Sequence, residues 1–187
     1  MQPIDTSLAT GLTGEVRLRP LTVADAEVFA AHLRSDLARL SEFLPWPAVA
    51  ASPTGAVGWL RPYEKKVDGR VLVAGVWHDD ALVGGIVLFH HDVGSATLEL
   101  GCWCLAAVEG YGVVRAACVE GLRIARGLGT ERVQWHCDPD NTRSGALARR
   151  LGFTHEGTLR SAYPLRGVRR DSEVYGLVGA EIDRAIS

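Results

Sequence analysis

Glu109-Gly110-Tyr111-Gly112-Val113-Val114 constrains the fold more than any other stretch, because it stands where a strand hands over to a helix. Upstream, Thr97 to Leu105 reads as a strand; downstream, Val114, Ala117, Cys118, Gly121, Leu122 and Ala125 recur at helical spacing. The turn therefore opens a helix. The first amides of a helix lack internal partners and the aligned peptide dipoles favour anions at that end, so a pyrophosphate fits there. Gly110 and Gly112 reach positive φ without strain and, having no Cβ, let successive amides turn toward a ligand. Arg115, in the first helical turn, is mildly unfavourable to the helix but favourable beside phosphate. The motif lacks the Lys and Ser/Thr of a Walker loop and the third glycine of a dinucleotide fingerprint, which removes both readings. A purely structural glycine turn stays open beside the phosphate-binding one.

Composition narrows the class. At 187 residues, 20.1 kDa and 47% apolar content, the chain is expected to form one domain over residues 1–187, with 1–14 a flexible N-terminal segment. Net charge is −2 and no basic run interleaves with aromatics, so no nucleic-acid surface is indicated. Met1 to Gly14 carries no Lys or Arg, unlike a secretory signal, and stretches such as Ala81 to Phe89 are too short to span a bilayer. No membrane association and a cytoplasmic location are expected. Cys102, Cys104, Cys118 and Cys137 fall in strands or a helix, which suits buried free thiols in a reducing compartment. Cys102 and Cys104 share a strand face, but a C-x-C pair without a second pair of ligands is a poor zinc site, and no metal is expected.

The remaining pattern is mixed α/β (of the α+β type) with a mostly antiparallel sheet. Val16 to Arg19 is a short strand; Thr22, with Asp25 three residues on, caps a helix whose Ala26, Phe29, Ala30, Leu33, Leu37 and Leu40 share a face. Pro45, Pro47 and Pro53 punctuate a turn-rich stretch around Trp46, and a second helix runs from about Thr54 to Val67, with Pro62 a possible kink. Val71 to His78, Leu82 to His91 and Thr97 to Leu105 form an antiparallel meander with turns at Asp79-Asp80 and 92–95. After the glycine-turn helix come a strand Arg132 to Cys137, a helix from Thr142 to Leu151 stopped by Gly152, and closing strands Phe153 to Leu159 and Asp171 to Val178.

With these pieces in order, the chain resembles the GCN5-related N-acetyltransferases, in the branch that acetylates ribosomal-protein N-termini. The resemblance runs through Leu44-Pro45-Trp46-Pro47, Leu100-Gly101-Cys102-Trp103, the glycine turn, Asp140-Asn141 through Ser144, and Arg149-Arg150-Leu151-Gly152-Phe153. Glu156-Gly157, Gly167, Asp171 and Tyr175 carry it to the C-terminus. It implies a twisted sheet whose central strands splay apart, acetyl-CoA as co-substrate, an amine acceptor such as a protein N-terminus, and a homodimer.

The same resemblance implies residue roles. Amides around Gly110, Tyr111, Gly112, Val113, Val114 and Arg115 would hold the pyrophosphate; backbone groups of Trp103, Cys104 and Leu105 would pair with pantetheine; Asn141 would contact the pantetheine arm. Ser144 would donate to the departing thiolate, and Tyr163, Arg160 and Asp171 lie in the late segment that lines acceptor sites in relatives; Trp46, flanked by prolines, could wall an acceptor pocket or simply pack. Read without the family, Asn141 or Thr142 is an ordinary helix cap and Ser144 an exposed first-turn residue. Glu99 leaves the face of Leu98 and Leu100 and could take the amine proton through water; the alternative is a solvent-facing carboxylate. His90-His91 and His136 lack a spaced nucleophile and orienting group, which excludes a hydrolase triad. Ala107 departs from the family by removing the Gln or Arg that usually opens the turn motif, and Arg115 replaces a small hydroxyl residue. Two other functions share such a fold: an acetyltransferase for small amines such as aminoglycosides or polyamines, and a non-catalytic acyl-CoA-binding protein.

Overall fold

The computed structural model describes residues 5–64 and 71–187, the side chains of positions 90 and 91 excepted. Its strands are β1 (Thr6–Ser7), β2 (Val16–Pro20), β3 (Leu72–His78), β4 (Ala81–Asp92), β5 (Thr97–Cys104), β6 (Arg132–Cys137), β7 (Thr154–Leu165) and β8 (Val168–Val178). Its helices are α1 (Ala26–Ser35), α2 (Leu37–Phe43), α3 (Pro47–Ala50), α4 (Pro53–Glu64), α5 (Val113–Gly127), α6 (Thr142–Arg150) and α7 (Ala180–Ile186). The strands form one sheet in the order β1-β2-β3-β4-β5-β6-β8-β7. The expected mixed α/β class with a mostly antiparallel sheet is therefore what the chain adopts, β5 and β6 supplying a parallel pair. That ladder runs from Thr97↔Arg132 to Glu99↔Gln134 and stops, although both strands continue.

The chain divides into two compact units, Met1–Val87 with Cys102–Cys118, and Leu88–Gly101 with Val119–Ser187. In the first, Leu18, Phe29, Ala30, Leu33, Leu60 and Val76 are fully buried. The expected capping box is present: Asp25 accepts from the Thr22 amide at 2.9 Å, across a single 3-10 turn that leads into α1. The single helix expected through Leu40 is divided at Asp36 (φ −141°, ψ 30°). The physical reason lies in the Asp36 carboxylate, which accepts from the Ala106 amide at 3.1 Å and from Arg39 at 2.6 Å, contacts that no helix periodicity announces. Helix α4 runs past Pro62 with Ala56 and Leu60 buried. Its expected end at Val67 lies outside the described residues. Thr6–Ser7, inside the segment expected to be flexible, pairs with Leu18 and Arg17.

In the second unit, Leu98, Leu100, Val133, Trp135, Tyr175 and Leu177 build the core. Gly152 (φ 92°) ends α6 as the sequence indicated: its N–H reaches the Arg149 carbonyl and that of Phe153 reaches Ala148, both at 3.0 Å, in a Schellman arrangement. The closing hairpin is longer than expected, because register shifts between His155 and Gly157 and between Leu159 and Tyr163 break the period-2 signal while pairing continues to Leu165↔Val168. Helix α7, which begins after Gly179 and buries Ile182, was not foreseen.

Candidate active site

In the first unit the glycine turn has the conformation its sequence required. Gly110 has φ 85° and Gly112 φ 74°, and a Cβ added at either would meet nothing within 4 Å. Glycine is thus needed for backbone conformation, and the space beside the turn is open. The first helical bond of α5 is Ala116 N–H to the Gly112 carbonyl at 2.9 Å. The amides of Val113, Val114 and Arg115 consequently stand ahead of it, in the orphan positions of a helix start. Arg115 is exposed and Val113 buried.

The turn is held by a cluster that local sequence patterns did not reveal. Arg39 donates from Nη1 to Glu109 Oε1 at 2.7 Å, from Nε to Asp36 at 2.6 Å, and from Nη2 to the Cys104 carbonyl. With the Asp36–Ala106 bond, one guanidinium and one carboxylate fasten the end of β5 and the entry to the turn. Burial opposes the charge on Asp36, yet the Arg39 hydrogen bond and the Ala106 amide hold its carboxyl below the usual range. From the other side, the Gly11 amide donates to the Tyr111 carbonyl at 2.8 Å.

The three strand-end residues expected to pair with pantetheine differ from one another. Leu105 donates its N–H to the Val83 carbonyl at 2.9 Å, so that amide belongs to the sheet and does not face a ligand. Residues two apart turn their main-chain groups the same way, so Trp103 also addresses β4, whereas Cys102 and Cys104 address the opposite edge. The expected pairing of pantetheine with Leu105 and with Trp103 is corrected on that ground.

The Trp103 side chain is buried and donates from its indole to His32 Nε2 at 3.0 Å, while His32 Nδ1 lies 2.8 Å from the Leu82 carbonyl. A carbonyl only accepts, so the proton resides on Nδ1 and the imidazole is neutral. Burial pushes the His32 pKa down, with the Leu82 bond working against it. Trp46 stacks on Trp59 at 4.5 Å and meets Trp103 edge-on at 5.4 Å. This half-buried residue is thus a packing member of the first unit.

The second unit carries the other expected site residues. Asn141 is the N-cap of α6: its Oδ1 accepts from the Ser144 amide at 3.2 Å. Ser144, half-buried, accepts at Oγ from the Trp135 indole at 3.0 Å. Cys137 lies beside it; burial pushes that thiol up to about 11, with the Ser144 hydroxyl pulling the other way.

Tyr163 donates to Asp138 at 3.0 Å, and Arg170 grips both oxygens of Asp138 at 2.8 and 2.9 Å and Asp140 at 2.6 Å. This cluster ties the β7–β8 hairpin to the turn that carries Asn141. Burial, then Asp138, pushes Tyr163 up to about 12, which makes it a donor at neutral pH. Glu99 pairs with Gln134 in the ladder and, as read from the alternation, leaves the buried face of Leu98 and Leu100. Asp171 accepts from the Ser161 amide at 2.7 Å, and Arg160 is exposed. His136 contacts Ser172 at 3.3 Å, while the side chains of His90 and His91 lie outside the described residues. The four cysteines are free, and among the described residues no cluster of His, Cys, Asp or Glu could hold a metal.

Residues 15–154 match the acetyltransferase (GNAT) domain family. The chain belongs to it. This acetyltransferase is 30% identical over 172 residues, 89% of its own length and 92% of the other's, to a Bacillus subtilis (strain 168) protein named "Putative ribosomal N-acetyltransferase YdaF". Its fold is that of Mycobacterium smegmatis RimJ in complex with CoA-disulfide, at TM-score 0.86 and 23% identity over 97% of this chain and 91% of that one. RimL, the ribosomal L7/L12 alpha-N-protein acetyltransferase in complex with coenzyme A, shares it at TM-score 0.83 and 20% identity over 94% and 99%. Family membership makes this chain an acyl-CoA-dependent N-acyltransferase with acetyl-CoA as co-substrate. Among the described residues no helix is long and apolar enough to cross a membrane.

Proposed function

We propose that this acetyltransferase modifies the α-amine of a protein or peptide N-terminus, working as one catalytic domain over residues 1–187 and as a cytoplasmic homodimer. The observation that carries the acceptor is the 30% identity, over nearly the whole chain, to a relative named for ribosomal N-acetylation. The donor end is supported by geometry: Gly110 and Gly112, at φ 85° and 74°, open α5 onto free space.

In this reading the amides of Tyr111, Gly112, Val113, Val114 and Arg115 take the pyrophosphate of acetyl-CoA. The Cys104 amide, on the edge away from β4, takes the pantetheine arm, with Asn141 on the same arm. The amine nitrogen bonds to the thioester carbonyl carbon, the C–S bond breaks, and the electron pair leaves on sulfur. Ser144 donates a hydrogen bond to that thiolate. The proton shed by the amine goes to water, with Glu99 the carboxylate that takes it up in turn. Trp46 and Tyr163 serve the acceptor.

Thiol release from acetyl-CoA, measured in parallel with N-terminal peptides, polyamines and aminoglycosides, tests the reading. Turnover with peptides is expected. Turnover confined to a polyamine or aminoglycoside sinks the acceptor assignment, and no release with any amine sinks the catalytic one.

A further inference from the structure

Trp135 is absorbed by none of the roles above, yet it is the side chain that touches Ser144. The alternation of β6 buries Val133, Trp135 and Cys137 together, and Trp135 is 2% exposed. Its ring sits edge-on to Phe153, with centroids 5.8 Å apart and planes at 63°. Packing of that kind needs only an aromatic surface. The indole nevertheless points its N–H at Ser144 Oγ, 3.0 Å away.

The two groups have unequal hydrogen-bonding inventories, and this inequality sets a direction. An indole nitrogen donates and cannot accept; a hydroxyl has one proton and two lone pairs. The bond from Trp135 therefore occupies a lone pair of Ser144 and leaves the hydroxyl proton to point elsewhere. The Ser144 amide is itself fixed on Asn141 Oδ1, so backbone and side chain of this residue are both held. Cys137 is the thiol beside Ser144, and the hydroxyl works against the burial that pushes that thiol up to about 11. An N–H donated into an oxygen also polarises the O–H beyond it and strengthens the next bond in the chain.

We infer that Trp135 is a positioning residue of acetyl transfer: its indole N–H fixes the Ser144 hydroxyl as a donor toward the sulfur that departs from the acetyl group. The inference rests on the role proposed for Ser144. As the C–N bond forms and the C–S bond breaks, the sulfur keeps the electron pair, Ser144 keeps its proton while hydrogen-bonding to that sulfur, and the amine proton passes to water. Trp135 touches none of the reacting atoms.

The test is a double-mutant cycle on kcat at saturating acetyl-CoA and acceptor, with Trp135→Phe, Ser144→Ala and the double variant, each checked by thermal melting. Trp135→Phe keeps the aromatic contact with Phe153 and removes the N–H. It is expected to lower kcat roughly fivefold with KM for acetyl-CoA unchanged, and to cause no further loss when Ser144 is already alanine. An equal loss in both backgrounds overturns the inference while the role of Ser144 stands. Parental kcat in Ser144→Ala overturns both.

If Trp135→Phe does not fold, ¹⁵N NMR of the parent decides the matter. Of the five tryptophan indole signals, the one displaced by Ser144→Ala belongs to the bond. It should move when coenzyme A is added and stay in place with desulfo-coenzyme A. A signal that responds equally to both ligands, or to neither, overturns the inference.

Discussion

Replacing Gly112 with valine tests the donor site where the physics is simplest. Gly112 has φ +74°, and a Cβ there meets nothing within 4 Å, so the variant suffers from backbone conformation and not from a clash. A β-branched residue held in the left-handed region costs about 1–3 kcal/mol. For a chain of this size 1 kcal/mol corresponds to about 2–4 °C in Tm, so the free variant should melt roughly 2–12 °C lower. If the backbone relaxes out of that region, the amides of Val113 and Val114 rotate away from the position that a pyrophosphate needs. A ligand at a hundredfold excess over its Kd stabilises the parent by about 2.7 kcal/mol, which is roughly 5–11 °C. That increment should disappear in Gly112→Val.

Gly129 supplies the control, with φ +78° and nothing within 4 Å, at the far end of α5. Gly129→Val should lose a similar amount of stability and keep the whole acetyl-CoA shift. Melting curves with and without acetyl-CoA distinguish the two. A full ligand-induced shift in Gly112→Val would refute the assignment of this turn to the pyrophosphate.

Three further outcomes are expected. Arg39→Met should raise KM for acetyl-CoA and lower stability by about 1–3 kcal/mol, a figure discounted for partial exposure, because Asp36 and Glu109 lose their shared cation; steady-state kinetics and urea unfolding check it, and an unaltered KM would detach the cluster from the turn. His32 is neutral because burial lowers its pKa, so the unfolded chain binds a proton there first; its contribution is whole above about pH 6.5 and fades as pH falls below that value, and His32→Gln should flatten the pH dependence of the urea midpoint below about pH 6.5. With an α-amine acceptor, kcat/KM should rise with pH and level off near about 8, whereas a rise continuing toward about 10 would mark a lysine side chain.

Local chemistry made much of this fold legible. The two glycines at φ 85° and 74°, the Gly152 stop and the Thr22–Asp25 capping box are each written in residues adjacent along the chain, and each is present. The meander follows from period and connection length in the same way, while the parallel pairing of β5 with β6 emerges only in the folded sheet. What escaped was whatever depends on distant partners. Arg39 meets Cys104 and Glu109 from 65 and 70 positions away, and Asp36, where one helix is divided, meets Ala106 from 70. The extended β7–β8 hairpin escaped for a different reason: its register shifts and the positive φ of Ser161 (53°) erase the alternation by which strands are read. In the second unit, Asn141 and Ser144 are candidates by motif, whereas the hydrogen bond from Trp135 to Ser144 needed the strand and helix to be packed together.

Several ionisable groups of the second unit bear on the choice of acceptor, although Glu173, which accepts from the Tyr175 hydroxyl, is a further carboxylate near Cys137. Cys137 is pushed up to about 11 and Tyr163 to about 12, so both keep their protons at neutral pH and neither can take one from an amine. Asp138 is held below the usual carboxylate range, by Arg170 first and by the Asp140 amide and Tyr163 besides, which makes it a weak base. An amine that reaches the site already neutral needs none of Cys137, Tyr163 or Asp138 as a base. At pH 7 the neutral form of an α-amine near pKa 8 costs only about 1.4 kcal/mol, against about 4.6 kcal/mol for a lysine near 10.4. The difference of about 3 kcal/mol is of the size that a positioned general base supplies. The proposed route, in which water and Glu99 take the proton, therefore suits an N-terminal amine far better than a lysine side chain.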